Sequence, residues 1–350
     1  MIIVGLDPGY GTIKVTAIGK DGTLRTAYIP AVVGVGTTDL GLLSLGTLKH
    51  RRRRAKPDRV TFDGVFYLVG ENLSRYAQPV ERLDFQRLSG GMELQAAIYA
   101  ALARVFAPSQ HDVLIMLGLP VEVIADRAQA MEVVRAIRAW LVGEHIFQVN
   151  EETYRLTVHD VRAMPQPAGT FFAWGMDNHG HWVRAHEDLK AAVGICDIGF
   201  NTIDLFAVEG GDVVARFTVG KTAGMHRAAE FLARALFQQY GLELSLHEAD
   251  ALLRQSSPKV YVTGKGAVSV ASMARQALEA TAGHVVGLLR ERWGRGVQFA
   301  HILFTGGGAA ALQDALIREY PYGEILPNPV MANAIGLARY AVRVFRKKRS

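Results

Sequence analysis

The chain has 350 residues, 49% of them hydrophobic and 21% charged, which excludes an intrinsically disordered protein and allows two domains of ordinary size. No apolar run approaches the roughly 18 residues of a membrane span, and the N-terminus lacks a signal-peptide pattern, so we expect a cytoplasmic protein without a membrane span. The single cysteine, Cys196, cannot form an internal disulfide, which fits a reducing compartment.

The net charge of +6 is concentrated in two basic clusters. The first consists of Lys49, Arg51, Arg52, Arg53, Arg54 and Lys56, and the second of Arg343, Arg346, Lys347, Lys348 and Arg349. Either cluster could contact DNA, an anionic membrane or an acidic partner, and each has the alternative of a solvated loop or a frayed tail. Direct contact with nucleic acid therefore stays open.

The first predicted elements are two buried strands, residues 1–6 and 13–18, joined by a glycine-rich turn. The turn and its flanks contain Asp7, Gly9, Tyr10, Gly11, Thr12 and Lys14. Glycines let backbone N–H groups face an anion, while a hydroxyl and a lysine add donors and charge. A carboxylate at a strand end is placed to hold hydrated Mg²⁺. Taken alone, however, the pattern favours an ordinary hairpin.

The remainder of the first half is predicted as a mixed α/β region. A third strand at residues 23–29 completes an antiparallel meander, and residues 30–58 have no clear period, which indicates an irregular lobe or a mobile loop. The other predicted elements are a hairpin at 60–69, a helix at 92–106, a strand at 113–117, a helix at 121–141, strands at 145–149 and 154–163, a loop at 164–170 and a short helix at 171–174.

After a polar connection at residues 177–191, the pattern of the N-terminus starts again. Its histidines, His179, His181 and His186, could bind zinc, although a polar connection is the favoured interpretation. Strands are predicted at 192–198, 203–208 and 213–219, with an acidic glycine turn between the first two, and this repeat indicates an internal duplication. The later predicted elements are helices at 225–240, 245–255, 270–293, 309–319 and 330–345, and strands at 259–263 and 301–304.

Three glycine turns, residues 7–14, 197–204 and 305–308, each follow an apolar strand, and two of them carry an aspartate at the strand end. Ligands of open α/β sheets collect where strand ends open into a crevice, so two such sheets would form one cleft with a carboxylate on each wall. Two carboxylates there indicate a metal-bound polyphosphate. The triple glycine, which opens a helix, suits close approach of a flat or anionic group.

These motifs, in this order, resemble the actin-like ATPases, within the larger group of actin, sugar kinases and heat-shock chaperones. The matching residues are Asp7, Gly9, Gly11 and Lys14 for the first phosphate motif; Asp197, Gly199, Thr202 and Asp204 for the second; residues 304–309 for the adenosine motif; and Gln166 and residues 331–336 for the two connecting motifs. The Gly-Leu-Pro at 118–120 and the short second lobe look most like ParM-type and archaeal actin-like proteins. Pro8 and Tyr10 depart from what relatives often carry in the first turn.

The resemblance implies an α/β actin-like ATPase fold with two duplicated ribonuclease-H-like lobes around a nucleotide cleft. The first lobe would be residues 1–175, with an inserted subdomain at about 30–90. The second would be 176–330, with an inserted helical subdomain at about 240–295. Residues 331–350 would form a helix that packs back on the first lobe.

The resemblance also implies a Mg²⁺-dependent ATPase that alternates between ATP and ADP and polymerises with itself, often to move plasmid DNA through a DNA-binding adaptor protein. Asp7 and Asp197 would hold Mg²⁺ through water, and Gln166 would orient the attacking water. The implied nucleotide-binding residues are Gly9, Tyr10, Gly11, Thr12, Lys14, Gly199, Phe200, Asn201, Thr202, Gly306, Gly307 and Gly308. A small-molecule kinase of the sugar-kinase type is the alternative, and it would need an aspartate as general base where Gln166 stands.

Overall fold

A computed structural model describes residues 1–35, 56–77, 79–80 and 90–346 of the chain. The chain divides into two compact units. Unit 1 comprises Met1–Leu119, Val123–Trp182 and Asn333–Ser350, and unit 2 comprises Pro120–Glu122 and Val183–Ala332.

The strands of the described residues are β1 (Ile2–Pro8), β2 (Thr12–Ile18), β3 (Leu24–Pro30), β4 (Val33–Val35), β5 (Asp58–Phe62), β6 (Val65–Val69), β7 (Gln110–Leu119), β8 (Gly143–Val149), β9 (Glu152–Pro165), β10 (Val193–Ile198), β11 (Ile203–Glu209), β12 (Asp212–Val213), β13 (Val219–Lys221), β14 (Lys259–Val262), β15 (Gly266–Ser269), β16 (His301–Thr305) and β17 (Gly323–Ile325).

The helices of the same residues are α1 (Met92–Ala103), α2 (Val121–Ala125), α3 (Arg127–Leu141), α4 (Gln166–Gly175), α5 (His186–Lys190), α6 (His226–Tyr240), α7 (Leu246–Leu253), α8 (Ala271–Trp293), α9 (Gly307–Ala311), α10 (Gln313–Glu319) and α11 (Ala332–Arg346). None of these helices is long and apolar enough to cross a membrane.

The sheet of unit 1 has nine strands among its described residues, in the order β3-β2-β1-β7-β9-β8-β5-β6-β4. Strand β2 pairs antiparallel with both β1 and β3, which confirms the predicted meander, and β1 pairs parallel with β7. Successive side chains of a strand point to opposite faces. Accordingly, Val4 and Leu6 pack in the core that contains α1, whereas Ile3 packs in a second core with Leu337 and Phe345 of α11. The sheet is therefore covered on both faces.

The sheet of unit 2 has six strands within the described part of the chain, in the order β12-β11-β10-β16-β17, and β13 also pairs with β11. Strand β10 is buried along its whole length, pairs antiparallel with β11 and runs parallel with β16. This repeats the pairing of β1 with β2 and β7. Both units thus place a tight turn at the carboxyl end of a central buried strand, as the duplication predicts.

Several predicted elements of regular structure differ in the structure. The single helix expected at residues 121–141 is broken by Asp126, whose backbone is extended and whose carboxylate accepts hydrogen bonds from the N–H groups of Ala128 and Gln129 as the N-cap of α3. The third strand expected at 213–219 is replaced by β12, a 3₁₀ turn at Ala215–Phe217 and β13.

Helix boundaries near the glycine turns also differ from the prediction. Residues 166–170, expected to be a loop, form the first half of α4, because Pro167 is tolerated in a first turn, where an N–H has no acceptor within the helix. The helix expected at 309–319 is interrupted at Leu312 and becomes α9 and α10. Of the segment at 30–58, the described part contains β4; the rest, with the first basic cluster apart from Lys56, lies outside the described residues, as do Lys347, Lys348 and Arg349.

Candidate functional site

The turn of unit 1 centres on Asp7, whose side chain lies at the end of β1 and is only 1% exposed. Lys14, its register partner on β2, donates from Nζ to Asp7 Oδ2 at 2.9 Å. Gln166, the first residue of α4, donates from Nε2 to Asp7 Oδ1 at 2.8 Å. Because an ionised carboxylate only accepts hydrogen bonds, the amide nitrogen of Gln166 must face Asp7, and its Oε1 remains as the acceptor atom. This contact joins residues that are 159 positions apart in the sequence.

The turn itself is short and is held by one hydrogen bond within it and one from residue 31. The N–H of Gly9 donates to the carbonyl of Asp7 at 3.0 Å, and the carbonyl of Gly11 accepts from the N–H of Ala31 at 3.0 Å. Thr12 is the first residue of β2, and the ring of Tyr10 is buried. The predicted residues of the first turn therefore lie together within unit 1, with Tyr10 directed into packed surroundings.

The turn of unit 2 repeats this arrangement at residues 197–204. Its carbonyl groups are held by the segment that leads into α6: those of Gly199, Phe200 and Asn201 accept from the N–H groups of Met225, His226 and Gly224 at 2.8–3.0 Å. The side chains of Phe200, Asn201 and Thr202 are each at most 9% exposed. The backbone of this turn is therefore held in place by hydrogen bonds within unit 2.

Asp197 and Asp204 face each other in register on β10 and β11, at the positions that Asp7 and Lys14 occupy in unit 1. Asp204 is 1% exposed, and its carboxyl accepts from the hydroxyl of Thr202 at 3.3 Å. Burial, followed by repulsion from Asp197, raises the pKa of the Asp204 carboxyl well above its usual range. The neutral acid is thus favoured at Asp204.

The third turn follows β16 and lies directly beside Asp197. Gly306 has a φ of +84°, and a Cβ at this position would overlap Asp197 Oδ1 and the carbonyl oxygen of Ile198. Only glycine satisfies both conditions. The N–H of Gly306 and the hydroxyl of Thr305 both donate to the carbonyl of Pro329 at 2.9 Å, which holds the turn from the other side.

Helix α7 supplies residues that the sequence pattern did not single out. Arg254, which follows the helix, donates from Nη1 to the carbonyl of Gly307 at 3.3 Å and forms a two-bond ion pair with Asp250, at 2.8 and 3.1 Å. The ring of His247 stacks on Phe200 with centroids 5.0 Å apart. An Asp-Arg pair at i and i+4 is common on helix surfaces, so nothing in the sequence linked it to the glycine turn.

The predicted site residues thus fall into two groups, each assembled within its own unit. Unit 1 brings Asp7, Lys14 and Gln166 into direct contact. Unit 2 brings Asp197, the turn at 199–202 and the glycines at 306–308 together. Among the described residues, no group of three or more His, Cys, Asp or Glu side chains is arranged to hold a metal ion, so the zinc interpretation of the histidines gains no support.

Two family models match the sequence. The actin-like proteins N-terminal domain matches residues 5–169, which include the first turn and Gln166. The C-terminal domain of the archaeal actin homologue MreB-like family matches residues 195–318, which include the other two turns. No curated protein sequence matches the chain significantly.

Solved structures of actin-like proteins match nearly the whole chain. A ParM, the pCBH ParM non-polymerisable quadruple mutant, is 17% identical, with 99% of each chain covered and a TM-score of 0.77. The archaeal actin homologue Ta0583 in complex with ADP is 19% identical, with 100% of each chain covered and a TM-score of 0.71. The 15-stranded ParM filament from Clostridium botulinum is 18% identical, with 98% of this chain and 99% of that chain covered and a TM-score of 0.73. The chain therefore has the actin-like fold, with an N-terminal domain that matches the actin-like proteins and a C-terminal domain that matches the archaeal MreB-like family.

Proposed function

We propose that this protein binds ATP with Mg²⁺, hydrolyses it to ADP and assembles into filaments whose stability depends on the bound nucleotide. The observation that carries the proposal is the repeated aspartate turn. Asp7 and Asp197 occupy the same register position at the carboxyl end of equivalent buried strands, each followed by a tight glycine-containing turn. In sheets of this type, strand ends of this kind bind phosphorylated ligands.

In this proposal the two turns bind the phosphate groups of the nucleotide. Lys14 contributes positive charge in the first turn, and Thr12 contributes a hydroxyl next to it. In the second turn, residues 199–202 have a backbone that the segment before α6 already holds in place, so little conformational entropy is lost on binding.

Asp7 and Asp197 are the residues that would hold Mg²⁺. Both are buried carboxylates, the oxygen donors that this ion prefers. Lys14 and Gln166 already occupy both oxygens of Asp7, which fits a metal held through its water shell rather than by direct coordination. When bound, Mg²⁺ supplies charge neutralisation on the phosphate oxygens.

Gln166 would orient the attacking water through its Oε1. One N–H of its amide donates to Asp7, and its Oε1 is the acceptor for a water. A water that donates to Oε1 has a lone pair that points away from Gln166. An amide is too weak a base to remove a proton. We therefore expect slow hydrolysis that depends on water position rather than on proton abstraction.

The adenosine portion would bind at residues 306–308. The absence of side chains there allows a flat ring to approach the backbone, and Arg254 lies against the carbonyl of Gly307. A guanidinium group can stack on a base, and the Asp250 carboxylate holds Arg254 in place by two hydrogen bonds.

Self-assembly is proposed from the relatives, among which is the ParM filament from Clostridium botulinum. Plasmid DNA segregation through a DNA-binding adaptor protein, or another cytoskeletal role, is the biological setting that we propose, in the cytoplasm. A small-molecule kinase remains the alternative. No observation favours it, because Gln166, which contacts Asp7, carries an amide where a kinase would need a carboxylate as general base.

Sedimentation and light scattering test the proposal. With ATP and Mg²⁺, the protein should pellet at high speed, and scattering should rise and then decay as ADP forms; electron microscopy should show filaments. Turnover without any sedimentable polymer would contradict the filament proposal. Turnover that rises on addition of a sugar would favour the kinase.

A further inference from the structure

Asn333 is a buried polar residue at the start of α11, 4% exposed, and it belongs to no part of the proposed nucleotide contacts. Its Oδ1 accepts a hydrogen bond from the hydroxyl of Thr170 at 2.7 Å. Thr170 lies in α4 and is itself fully buried. A buried hydrogen bond between side chains of two helices fixes their relative position, because breaking it leaves unsatisfied polar groups.

The two helices cross with their backbones in contact. A Cβ on Gly336 would lie 2.5 Å from the backbone nitrogen of Ala173 and still closer to the carbonyl oxygen of Gly169. A Cβ on Gly169 would lie 2.9 Å from the Cα of Asn333. Glycines at a crossing point have no side chains to interlock, so the Thr170–Asn333 hydrogen bond supplies a directional contact there.

Gln166 lies one helical turn before Thr170 and on the same side of α4. The helix begins at Gln166, and Pro165, the residue at its N-cap, provides no side-chain hydrogen bond to the first turn. A Cβ on Gly118 would meet Gln166 Cγ at 2.9 Å and Leu337 Cδ1 at 3.0 Å, so Gln166 also has α11 close by. A rotation of α4 about its axis would therefore move Gln166 away from Asp7.

We propose that Asn333 is a positioning residue for ATP hydrolysis: through Thr170 it fixes the rotation of α4 and thereby holds the amide of Gln166 against Asp7. This inference rests on the proposed ATPase function. Removal of the hydrogen bond should reduce turnover, since a misplacement of about 1 Å can reduce a rate by up to about 100-fold. Nucleotide binding should be preserved, because neither residue belongs to the turns.

The test compares Asn333→Ala and Thr170→Val, which remove the hydrogen bond, with Asn333→Asp and Thr170→Ser, which keep an acceptor or a donor. We expect the first pair to lower kcat by about 10-fold or more while the Kd for a fluorescent ATP analogue changes less than about twofold. The second pair should recover most of kcat. The double variant Asn333→Ala with Thr170→Val should be no slower than either single variant.

Thr281→Val is the matched control, because it also deletes a buried hydroxyl, on α8 of unit 2. It should leave kcat and Kd unchanged. An active wild type with unchanged kcat in Asn333→Ala, or equal losses in the conservative and the disruptive variants, would overturn the inference alone. A wild type that does not hydrolyse ATP would overturn both the inference and the proposed function. Thr170→Ser removes only a methyl group, so it can still be measured if a larger substitution prevents folding.

Discussion

Gly336→Ala tests how closely α11 and α4 must approach. The added Cβ would lie 2.5 Å from the backbone nitrogen of Ala173 and still closer to the carbonyl oxygen of Gly169, whereas side-chain carbons rarely come closer than 3.4 Å, so the helices must separate by more than about 1 Å. Overpacking of this kind costs about 1–3 kcal/mol, and stretching the Thr170–Asn333 hydrogen bond adds about 1 kcal/mol. These two costs, less the gain of about 0.5–1 kcal/mol that alanine has over glycine inside a helix, predict a loss of about 2 kcal/mol in the free energy of unfolding of unit 1.

For a unit of this size, about 2 kcal/mol corresponds to a fall of roughly 4–8 °C in Tm, measured by calorimetry or by circular dichroism. Gly283→Ala is the matched control. Gly283 lies in the middle of α8, and a Cβ added there would meet no described atom within 4 Å outside its own helix, so alanine should stabilise the protein by about 0.5–1 kcal/mol through helix propensity. A Gly336→Ala protein as stable as the wild type would refute the close-contact argument.

Three further predictions concern the site and pH. Asp197→Ala should abolish phosphate release while circular dichroism stays unchanged; normal turnover would remove Asp197 from the site. Arg254→Ala should weaken ATP binding about tenfold or more, measured by competition titration, without changing the affinity for inorganic tripolyphosphate, which has no base. Equal losses for both ligands would contradict a contact between Arg254 and the base. Burial lowers the pKa of His145, whose ring is bonded to the Tyr99 hydroxyl and the Leu141 carbonyl. As the pH falls below about 6.5, His145 binds a proton more readily in the unfolded chain than in the folded chain, and this favours unfolding. The urea midpoint of the wild type should therefore fall between about pH 7.5 and 5.5, and that of His145→Gln should fall less.

The strands around the aspartate turns were predictable because their apolar runs are bounded by glycine and aspartate. The equal spacing from Asp7 to Lys14 and from Asp197 to Asp204 also follows directly from the sequence. In contrast, the break before α3 depends on whether Asp126 continues a helix or caps the next one, and local propensity does not decide between them.

Residues that reach the candidate site through tertiary contacts could not be predicted. Arg254 touches Gly307 across 53 residues of sequence, and Asn333 bonds Thr170 across 163. Neither contact leaves a periodic pattern, since a hydrogen bond between distant segments depends on how the helices pack. The Gln166–Asp7 contact was equally remote, and only the family resemblance pointed to Gln166.

The place of α11 in the core of unit 1 has a consequence for synthesis on the ribosome. Ile3, Ile18 and Met116 are buried against Leu337 and Phe345, which are translated after the whole of unit 2. The nascent chain must therefore carry a sheet face without α11 while unit 2 emerges and folds, and a transient cover such as a chaperone would protect that face from aggregation until α11 is synthesised.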